Sequence, residues 1–367
     1  MKITHLETVP YRIPMKKPLK FASGEVHHVE HVLVRLTTDE GLVGTADIPP
    51  RPYTYGETVE SVIAVINTIF ADALIGADPL DRGAIHAKLH RTIGNQTAKG
   101  GVDIALWDLI GKAHSTPVHR LLGGFASSLE VTHMLGFSPT EAVVDEALSF
   151  RETYGVRSFK IKVGRRPVSL DIELVAALRE ALGPDALLYL DANRGWNATE
   201  AAQMLAGTAD LDLRFFEEPN DAAEVLTRRQ LVTNSPIPIV ADESAPNLGD
   251  AAREIHTGGA NALSIKTART GFTESQKILS FAEALGLDVL MGNQIDTQLG
   301  SVATASFGAA FEHSSRYPAE MSNFLDMSDD LIAEPLEIKD GRIHAPTVPG
   351  AGTGVDEDKL THYRIDR

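Results

Sequence analysis

Short apolar runs recur roughly every 25 residues through the second and larger part of this 367-residue chain. A stretch with helical spacing follows each run, and this is the length of one strand–helix unit of a parallel sheet. Seven runs are clear and an eighth is weaker, at residues 131–135, 159–163, 187–190, 213–216, 237–241, 263–266, 289–291 and 319–325. The repetition predicts an α/β fold whose parallel strands close into a modified (β/α)-barrel. An open, doubly wound sheet is the alternative, but no Gly-x-Gly-x-x-Gly turn follows any of the runs.

The first 125 residues follow a different pattern, in which extended segments come before helices. Apolar runs flank Asp39-Glu40-Gly41, which is typical of a β-hairpin, and a polar loop is expected at residues 16–31. Apolar side chains have helical spacing at residues 57–70 and 97–113. This order of elements predicts an α+β capping domain.

The two patterns also predict the domain boundaries. We expect the capping domain to cover residues 1–125 and the barrel to cover residues 126–324. Another hairpin signal, around Asp340-Gly341, lies in the tail. We therefore expect residues 325–367 to fold back and complete the capping domain.

Charge and composition exclude several classes of function. Lys and Arg number 34 against 50 Asp and Glu, so the formal charge is −16 and no basic surface for nucleic acid is expected. The absence of cysteine rules out disulfides, a thiolate nucleophile and cysteine-ligated zinc, and it fits a cytoplasmic location. We expect neither a secretory leader nor a membrane span, because no apolar run is long enough for either.

Acidic side chains stand at the ends of three successive runs: Asp191, Glu217 and Asp242, which are 26 and 25 residues apart. Strand ends one unit apart lie side by side at the mouth of a barrel, where barrel enzymes place their chemistry. Carboxylates that converge there repel one another unless a cation joins them, and three oxygen ligands suit Mg²⁺ or Mn²⁺. The alternative for each acid is a helix cap. We favour metal ligation because all three acids occupy the same place in the repeat.

Lysines flank these acids along the chain. Lys162 precedes Asp191 by 29 residues, and Lys266 follows Asp242 by 24 residues, so the two lysines belong to strands on opposite sides of the barrel. Lys160 and Lys162 are two residues apart on one strand and therefore point to the same, inner face. A substrate above the metal would have a lysine on each face, and desolvation or like charge lowers a lysine pKa toward neutrality. The alternative is a salt bridge to the acids without catalysis.

These groups together predict a definite chemistry. A substrate carboxylate bound to the metal becomes an electron sink for its α-carbon. Removal of the α-proton, or addition of a nucleophile at the β-carbon, gives an enolate dianion that the metal stabilises where its charge develops. A lysine then moves the proton. The sequence therefore predicts an enzyme that makes or breaks a C–H bond next to the carboxylate of a small substrate.

The same residues resemble the enolase superfamily, in which a lysine or histidine base works beside Mg²⁺. The resemblance is to its muconate-lactonizing subgroup and covers nearly the whole chain. It rests on five segments: Lys160-Ile161-Lys162, Asp191-Ala192-Asn193, Glu217-Glu218-Pro219, Asp242-Glu243-Ser244 and Lys266. Residues 291–296 contain no histidine, whereas the mandelate racemase branch would place one there on the seventh strand.

The resemblance implies a role for each of these positions. Three acids would be the magnesium or manganese ligands: Asp191, Glu217 and Asp242. Two lysines would be the acid/base pair: Lys162 and Lys266. Three neighbours would tune the lysine or support the ligands: Lys160, Asn193 and Glu243. Loops around residues 16–28 and 51–57 would supply specificity, and the resemblance also implies a homo-oligomer.

Muconate cycloisomerase, o-succinylbenzoate synthase and dipeptide epimerase are the competing activities of this subgroup. Three residues resemble the cycloisomerase pattern, and we expect them to contact or support the substrate: Tyr55, Asp296 and Glu320. Dipeptide epimerases carry an Asp-x-Asp pair on the eighth strand for the substrate ammonium, whereas this chain has Met321-Ser322-Asn323. We therefore expect cis,cis-muconate as the substrate, in the breakdown of aromatic compounds. A non-catalytic carboxylate-binding barrel is the alternative from another class.

Overall fold

The computed structural model describes residues 1–22 and 24–366. The chain begins with an antiparallel sheet in the order β1 (Ile3–Phe21), β2 (Gly24–Thr38) and β3 (Val43–Ile48). The hairpin predicted at Asp39-Glu40-Gly41 is confirmed and joins β2 to β3. Gly41 has a φ of 81° there, a left-handed conformation that glycine adopts without a Cβ clash.

The polar loop predicted for residues 16–31 is wrong. These residues are the outer parts of β1 and β2, which form a two-stranded arm (residues 16–22 and 24–31) in which Leu19 pairs with Val26. Most of the polar side chains of the arm are exposed, and Lys20 and Glu25 form an ion pair 3.4 Å long across the strands. The polar composition therefore reflects a solvated β-ribbon. A register shift just before Leu19 marks the base of the arm.

Helices follow the sheet, as predicted for residues 57–70 and 97–113. Helix α1 (Val59–Val65) begins after Thr58, whose side chain accepts a hydrogen bond from the Ser61 N–H in a capping box. A π-helical turn and a 3₁₀ turn interrupt this region, and the elements in order are the π turn Ile66–Phe70, α2 (Ala71–Leu74), the 3₁₀ turn Pro79–Asp81, α3 (Arg82–Leu89), α4 (Gln96–Ala113) and α5 (Val118–Leu122).

The predicted barrel is present in the second part of the chain. Within the described ranges, eight parallel strands lie in the order β10-β9-β8-β7-β6-β5-β4-β11. They are β4 (Ser128–Leu135), β5 (Ser158–Lys162), β6 (Leu187–Asp191), β7 (Leu213–Glu217), β8 (Ile239–Ala241), β9 (Ala262–Ile265), β10 (Asp288–Met291) and β11 (Ala319–Glu320).

Helices connect these strands and cover the outside of the barrel. They are α6 (Thr140–Tyr154), α7 (Ser169–Leu182), α8 (Ala198–Gly207), α9 (Val225–Asn234), α10 (Leu248–Thr257), α11 (Thr267–Leu285) and α12 (Gln298–Gly308). The last strand is followed by a short 3₁₀ turn, Asn323–Asp326. Because β11 is two residues long and no full helix follows it, the eighth strand–helix unit gives only a weak signal in the sequence.

The barrel is nearly closed. Among the described residues β10 and β11 share no strand ladder, and a side chain bridges the two edges: Asn293 Nδ2 donates to the backbone oxygen of Glu320 at 3.2 Å. Large side chains such as Tyr189 and Phe215 fill the barrel interior below this level. Open space therefore lies toward the C-terminal ends of the strands.

Helix α4 joins the capping unit to the barrel. It is buried over nearly all its length and packs between β3 and α11. Close approach requires glycine at this junction, because a Cβ on Gly100 would lie 2.8 Å from the backbone of Arg269. The position of the cap above the barrel is therefore fixed by tight backbone packing.

The tail contacts both units. The turn at Asp340-Gly341 is present, and it leads into β12 (Arg342–His344), which pairs antiparallel with β4 of the barrel. Helix α13 (Glu357–Tyr363) then packs against β1, and Thr353 Oγ1 donates to the Thr45 oxygen at 2.9 Å. We propose that residues 325–366 complete the capping domain, with β12 as an addition to the barrel wall.

None of the helices in the described ranges is, taken singly, both long and apolar enough to cross a membrane. One pair, Val59–Leu74 with Pro79–Leu89, meets the criterion jointly but is bent by 109° at its break.

Candidate active site

The polar residues singled out at the strand ends converge at one mouth of the barrel. Asp191 and Glu217 are the last residues of β6 and β7, and they lie in register with each other. Asp242 and Lys266 immediately follow β8 and β9. All of these side chains are buried, as are Lys160 and Lys162 on β5 and Glu320 on β11.

Lys160 stands at the centre of the acids. Its ammonium lies 2.9 Å from each of three carboxylates, those of Asp191, Glu217 and Glu320. Burial alone would lower the pKa of Lys160, but the three carboxylates raise it well above its usual value. Lys160 is therefore a fixed cation, which suits a structural and electrostatic role better than proton transfer.

The two candidate proton-transfer lysines approach from opposite strands. Lys162 Nζ lies 2.6 Å from Asp191 Oδ2, and Lys266 Nζ lies 2.5 Å from Asp242 Oδ2. Burial would lower the pKa of Lys266, but Asp242 outweighs burial and raises it. Direct contact with the Asp242 carboxylate thus opposes the lowered pKa that the sequence led us to expect for Lys266.

The three acids fit a divalent cation. Glu217 Oε2 is buried and has no hydrogen-bond partner among the described residues. Burial, together with the nearby Asp191 and Asp242, raises the pKa of Glu217 well above its usual value in spite of Lys160. A buried carboxylate oxygen without a donor, beside two other carboxylates, is the environment that a hard oxygen-seeking cation stabilises. Asp191, Glu217 and Asp242 would hold that ion.

A cleft opens between these groups and the capping unit, and it encloses about 570 Å³ including its entrance. The barrel contributes polar groups such as Lys162, Lys266 and Asn323. The arm contributes Leu19 and Phe21, and the segment after β3 contributes Arg51, Thr54 and Tyr55. The cleft thus has a charged floor and a wall from the cap that is mostly apolar and aromatic.

The sequence matches family models over both units. Residues 142–359 match the enolase C-terminal domain-like family, and residues 3–123 match the mandelate racemase / muconate lactonizing enzyme N-terminal domain. The chain belongs to the enolase superfamily. The barrel with its α+β cap is the fold of that superfamily, and the chain is an enzyme of the isomerase type.

Three known members show how far the likeness reaches. A muconate lactonizing enzyme from Mycobacterium smegmatis, solved with muconolactone, is 53% identical, has a TM-score of 0.99 and covers 100% of both chains. L-Ala-D/L-Glu epimerase from Bacillus subtilis is 30% identical over 96% of both chains. A dipeptide epimerase from Enterococcus faecalis, solved with Mg and the dipeptide L-Leu-L-Tyr, is 26% identical with a TM-score of 0.90, and covers 96% of this chain and 99% of its own. Relatives therefore act on small carboxylates, and one of these structures contains magnesium.

Asn193 and Glu243 continue the hydrogen-bond network outward from Lys162. Asn193 Oδ1 accepts from Lys162 Nζ at 2.7 Å, and Asn193 Nδ2 donates to Glu243 Oε1 at 2.8 Å. Burial, and then the charges of Asp242 and Glu218, raise the pKa of Glu243 to about 7. Asn193 therefore positions Lys162 while it connects that lysine to a carboxyl group at the edge of the cleft.

The residues predicted to contact substrate fall into two groups. Tyr55 and Glu320 line the cleft. Asp296 is 1% exposed and lies behind the loop after β10, where its N–H donates to Asn293 Oδ1 at 2.9 Å. Burial raises the pKa of Asp296 to about 6, although the Arg51 guanidinium acts in the opposite direction. Asp296 thus shapes the loop, and the structure places it outside the cleft lining.

Arg269 is part of this site and was missed from the sequence. Its Nη1 lies 2.6 Å from Asp242 Oδ1 and donates to Tyr55 Oη at 2.7 Å. The residue lies in the first turn of α11, three positions after Lys266, and is 1% exposed. The only sequence signal is that spacing of three, which returns the side chain to the same side of the helix. Arg269 connects a barrel carboxylate to the capping unit.

Glu218 was named in a motif without a role, and the structure supplies one. Its Oε1 accepts from the N–H groups of Asp242 and Ser244 at 2.6 and 2.9 Å, and its Oε2 lies 3.1 Å from Arg228 Nη1. The backbone at Glu218 has a φ of 40°. This buried pair fixes the loop that carries Asp242.

Proposed function

We propose that this enzyme is a cis,cis-muconate cycloisomerase of aromatic catabolism. The observation that carries the proposal is Arg51. Arg51 lines the cleft, and its guanidinium makes hydrogen bonds to the backbone oxygens of Pro50 and Ile295. The guanidinium forms no salt bridge with any residue in the described ranges, although the charge of Asp296 acts on it. A cleft with the proposed metal site at one end and a guanidinium outside any salt bridge at the other suits a dicarboxylate.

The eighth strand supports a substrate without an ammonium group. Glu320, the acid of that strand, already pairs with Lys160 at 2.9 Å. Asn323, which has no charge, lines the cleft close by. The 53% identity to the lactonizing enzyme from Mycobacterium smegmatis agrees with this substrate.

We propose that one substrate carboxylate binds at the metal site. Asp191, Glu217 and Asp242 would hold Mg²⁺, or Mn²⁺ in its place. When bound, the ion draws electron density from a substrate carboxylate and so stabilises the negative charge that develops next to it. Arg51 would orient the second carboxylate for addition to the conjugated double bond.

The lysines complete the proposed isomerisation. An oxygen of the second carboxylate forms a C–O bond at the carbon β to the first carboxylate, and the π-electron pair moves to the α-carbon. An ammonium group of Lys162 or Lys266 gives its proton to that carbon, and water then restores the proton to the lysine. Because the two lysines lie on opposite faces, the identity of the donor determines whether addition is syn or anti.

Dipeptide epimerisation is the second candidate. A lysine on each face of the acids is also what removal of an α-proton from one side and its return on the other require. The epimerase from Bacillus subtilis is 30% identical over 96% of the chain. A dipeptide would need a carboxylate for its ammonium, and the described cleft lining offers Glu243 as the acid outside the Lys160 cluster.

The test is turnover in D₂O with and without Mg²⁺ or Mn²⁺, followed by proton NMR. Metal-dependent muconolactone with one deuterium at the α-carbon is the expected result, and its configuration identifies the lysine that acts. Metal-dependent α-deuterium exchange in L-Ala-L-Glu without muconolactone would replace the substrate and retain the lysine chemistry. No product and no exchange with either substrate would overturn both candidate activities.

We further propose that the enzyme is cytoplasmic and a homo-oligomer, and that it has no nucleic-acid partner. The absence of cysteine and the formal charge of −16 support the first and last points. Sedimentation equilibrium of the purified chain measures its oligomeric state directly.

A further inference from the structure

A second group of metal-ligand side chains lies where the capping unit meets the barrel. His86 and His90 are four residues apart around the C-terminal end of α3, and Glu274 belongs to α11 of the barrel. The candidate ligand atoms of all three lie within 4.8 Å of one another. None of the three lines the cleft. The group therefore differs in place and in ligand type from the acids at the barrel mouth.

The two imidazoles are arranged to share one partner. Their rings stack with centroids 3.9 Å apart and an interplanar angle of 18°. His86 Nε2 and His90 Nδ1 both face Glu274 Oε2, at 3.6 and 3.4 Å. Two ring nitrogens and one carboxylate oxygen therefore lie close together as candidate ligand atoms.

Those distances are long for hydrogen bonds, which bring nitrogen and oxygen to about 2.7–3.2 Å. His86 Nε2 is indeed buried without a hydrogen-bond partner in the described part of the chain. In a tetrahedral zinc site with bonds of about 2.0–2.1 Å, by contrast, neighbouring ligand atoms are about 3.3–3.4 Å apart. The two nitrogen–oxygen separations, 3.6 and 3.4 Å, are close to that edge length.

A backbone hydrogen bond orients the carboxylate of Glu274. Its Oε1 accepts from the Leu248 N–H at 3.0 Å, which leaves Oε2 as the oxygen that faces the two imidazoles.

Nearby lysines oppose a cation here, and their placement limits this effect. Lys99 is directed to the backbone oxygen of Thr92, which accepts from its Nζ at 2.7 Å. Lys277 is exposed, so water screens its charge.

We propose that His86, His90 and Glu274 bind a transition-metal ion of the zinc class, with solvent as the fourth ligand on the partly exposed side of His90. Two imidazoles and one carboxylate suit Zn²⁺, Co²⁺ or Ni²⁺, whereas three carboxylates suit Mg²⁺. The chain thus carries two sites that select different metals.

The position of this site gives it a mechanical role. Helix α3 belongs to the capping unit, Glu274 lies in the part of α11 that follows its break at Gly271, and Glu274 also accepts from the first residue of α10. An ion here joins the cap to the two helices that follow β8 and β9. We therefore expect the ion to stabilise the packing of the cap on the barrel and to take no part in catalysis.

The experiment is a Co²⁺ titration of the purified enzyme in saturating Mg²⁺, read by visible absorption. The parent should show the intense bands of four-coordinate Co²⁺ at one equivalent. His90→Asn should lose them and keep its Mg²⁺-dependent turnover, while the exposed control His114→Asn should retain them. If His90→Asn does not fold, Glu274→Gln takes its place, because its amide oxygen still accepts from Leu248.

Thermal unfolding supplies a second measurement. Zn²⁺ at about a hundredfold excess over its Kd should raise the unfolding midpoint of the parent by about 3 °C and leave that of His90→Asn unchanged. No four-coordinate spectrum in the parent, or the same spectrum and shift in the variant, would overturn the proposal.

Discussion

The ammonium of Lys266 lies 2.5 Å from Asp242 Oδ2, so a proposed proton donor and a proposed metal ligand are direct neighbours on adjoining strands. Each therefore controls the charge of the other. We propose that a cation held by the Asp242 carboxylate would weaken the ion pair with Lys266, and that the lysine could then exchange a proton with substrate. Metal binding and activation of the lysine would be coupled through this contact.

Alanine at the lysine that donates the proton, Lys162 or Lys266, should lower kcat for muconolactone formation by about 10²–10⁴, the usual contribution of a positioned acid or base. The measurement is initial rate at saturating Mg²⁺, with circular dichroism to confirm folding. Lys277→Ala, an exposed lysine on α11, is the control and should retain parental activity. Turnover within threefold of the parent in both variants would remove the lysines from the mechanism.

Glu217→Gln should bind Mg²⁺ at least tenfold more weakly, since loss of even an outer-shell partner costs about 10–100-fold in affinity. It should also make the metal-free protein more stable at pH 7. The pKa of Glu217 is raised in the folded state, so its ionised form opposes folding above the unfolded pKa, and the amide removes that cost. Calorimetric Mg²⁺ titration and urea unfolding in EDTA measure the two effects. A less stable metal-free variant would contradict this account.

Arg51→Gln should raise the KM for muconate by about tenfold or more, because a hydrogen bond to a charged group contributes about 1.5–3 kcal/mol. Steady-state kinetics gives the value. Tyr53→Phe is a matched control, since Tyr53 is close in sequence but 87% exposed and does not line the cleft. An unchanged KM in Arg51→Gln would show that the guanidinium does not meet the second carboxylate.

Arg269→Met should destabilise the protein by about 3–5 kcal/mol, because it leaves one oxygen of the buried Asp242 without its ion pair. Tyr55→Phe, which removes the hydroxyl that accepts from the same guanidinium nitrogen, should cost only about 1 kcal/mol. Urea unfolding of both variants and of the double variant tests the linkage. Additive effects would mean that Arg269 and Tyr55 act separately.

Asp296→Asn should gain stability relative to the parent as pH rises from 5 to 8. Burial raises the pKa of Asp296 to about 6, so its contribution to stability is present below the unfolded value near 4 and is lost as pH rises through about 6. The gain should not exceed about 3 kcal/mol. Urea unfolding across this range measures it, with Asp72→Asn, at an exposed position, as the control variant. A flat difference for Asp296→Asn would rule out this titration.

Spacing along the chain was sufficient to predict the barrel and the acids at its mouth, because parallel strands of equal length bring their ends to one level. The 26-residue spacing of Asp191 and Glu217 was therefore sufficient to predict that the two side chains are neighbours. Arg269 was not predicted, since a single arginine in a helix has no such regularity and its partner Asp242 is defined by packing.

The arm and the histidine pair escaped prediction for related reasons. The arm was predicted to be a loop because its exposed faces are polar. Backbone pairing between residues such as Leu19 and Val26 cannot be recognised from amino-acid composition. His86 and His90 have helical spacing, but their partner Glu274 lies more than 180 residues away and is brought near by the packing of α3 on α11.

The wall of the cleft and the proton-transfer groups belong to different parts of the fold, so they can change independently in evolution. Leu19 and Phe21 reach the cleft from a ribbon whose base is offset by a register shift, while the acids and lysines belong to the barrel. Substitutions in the ribbon can therefore alter which molecule fits without moving any group that handles protons. A library restricted to residues 16–22 and 51–55 should yield new selectivities at little risk to folding, which makes this part of the chain a natural starting point for redesign.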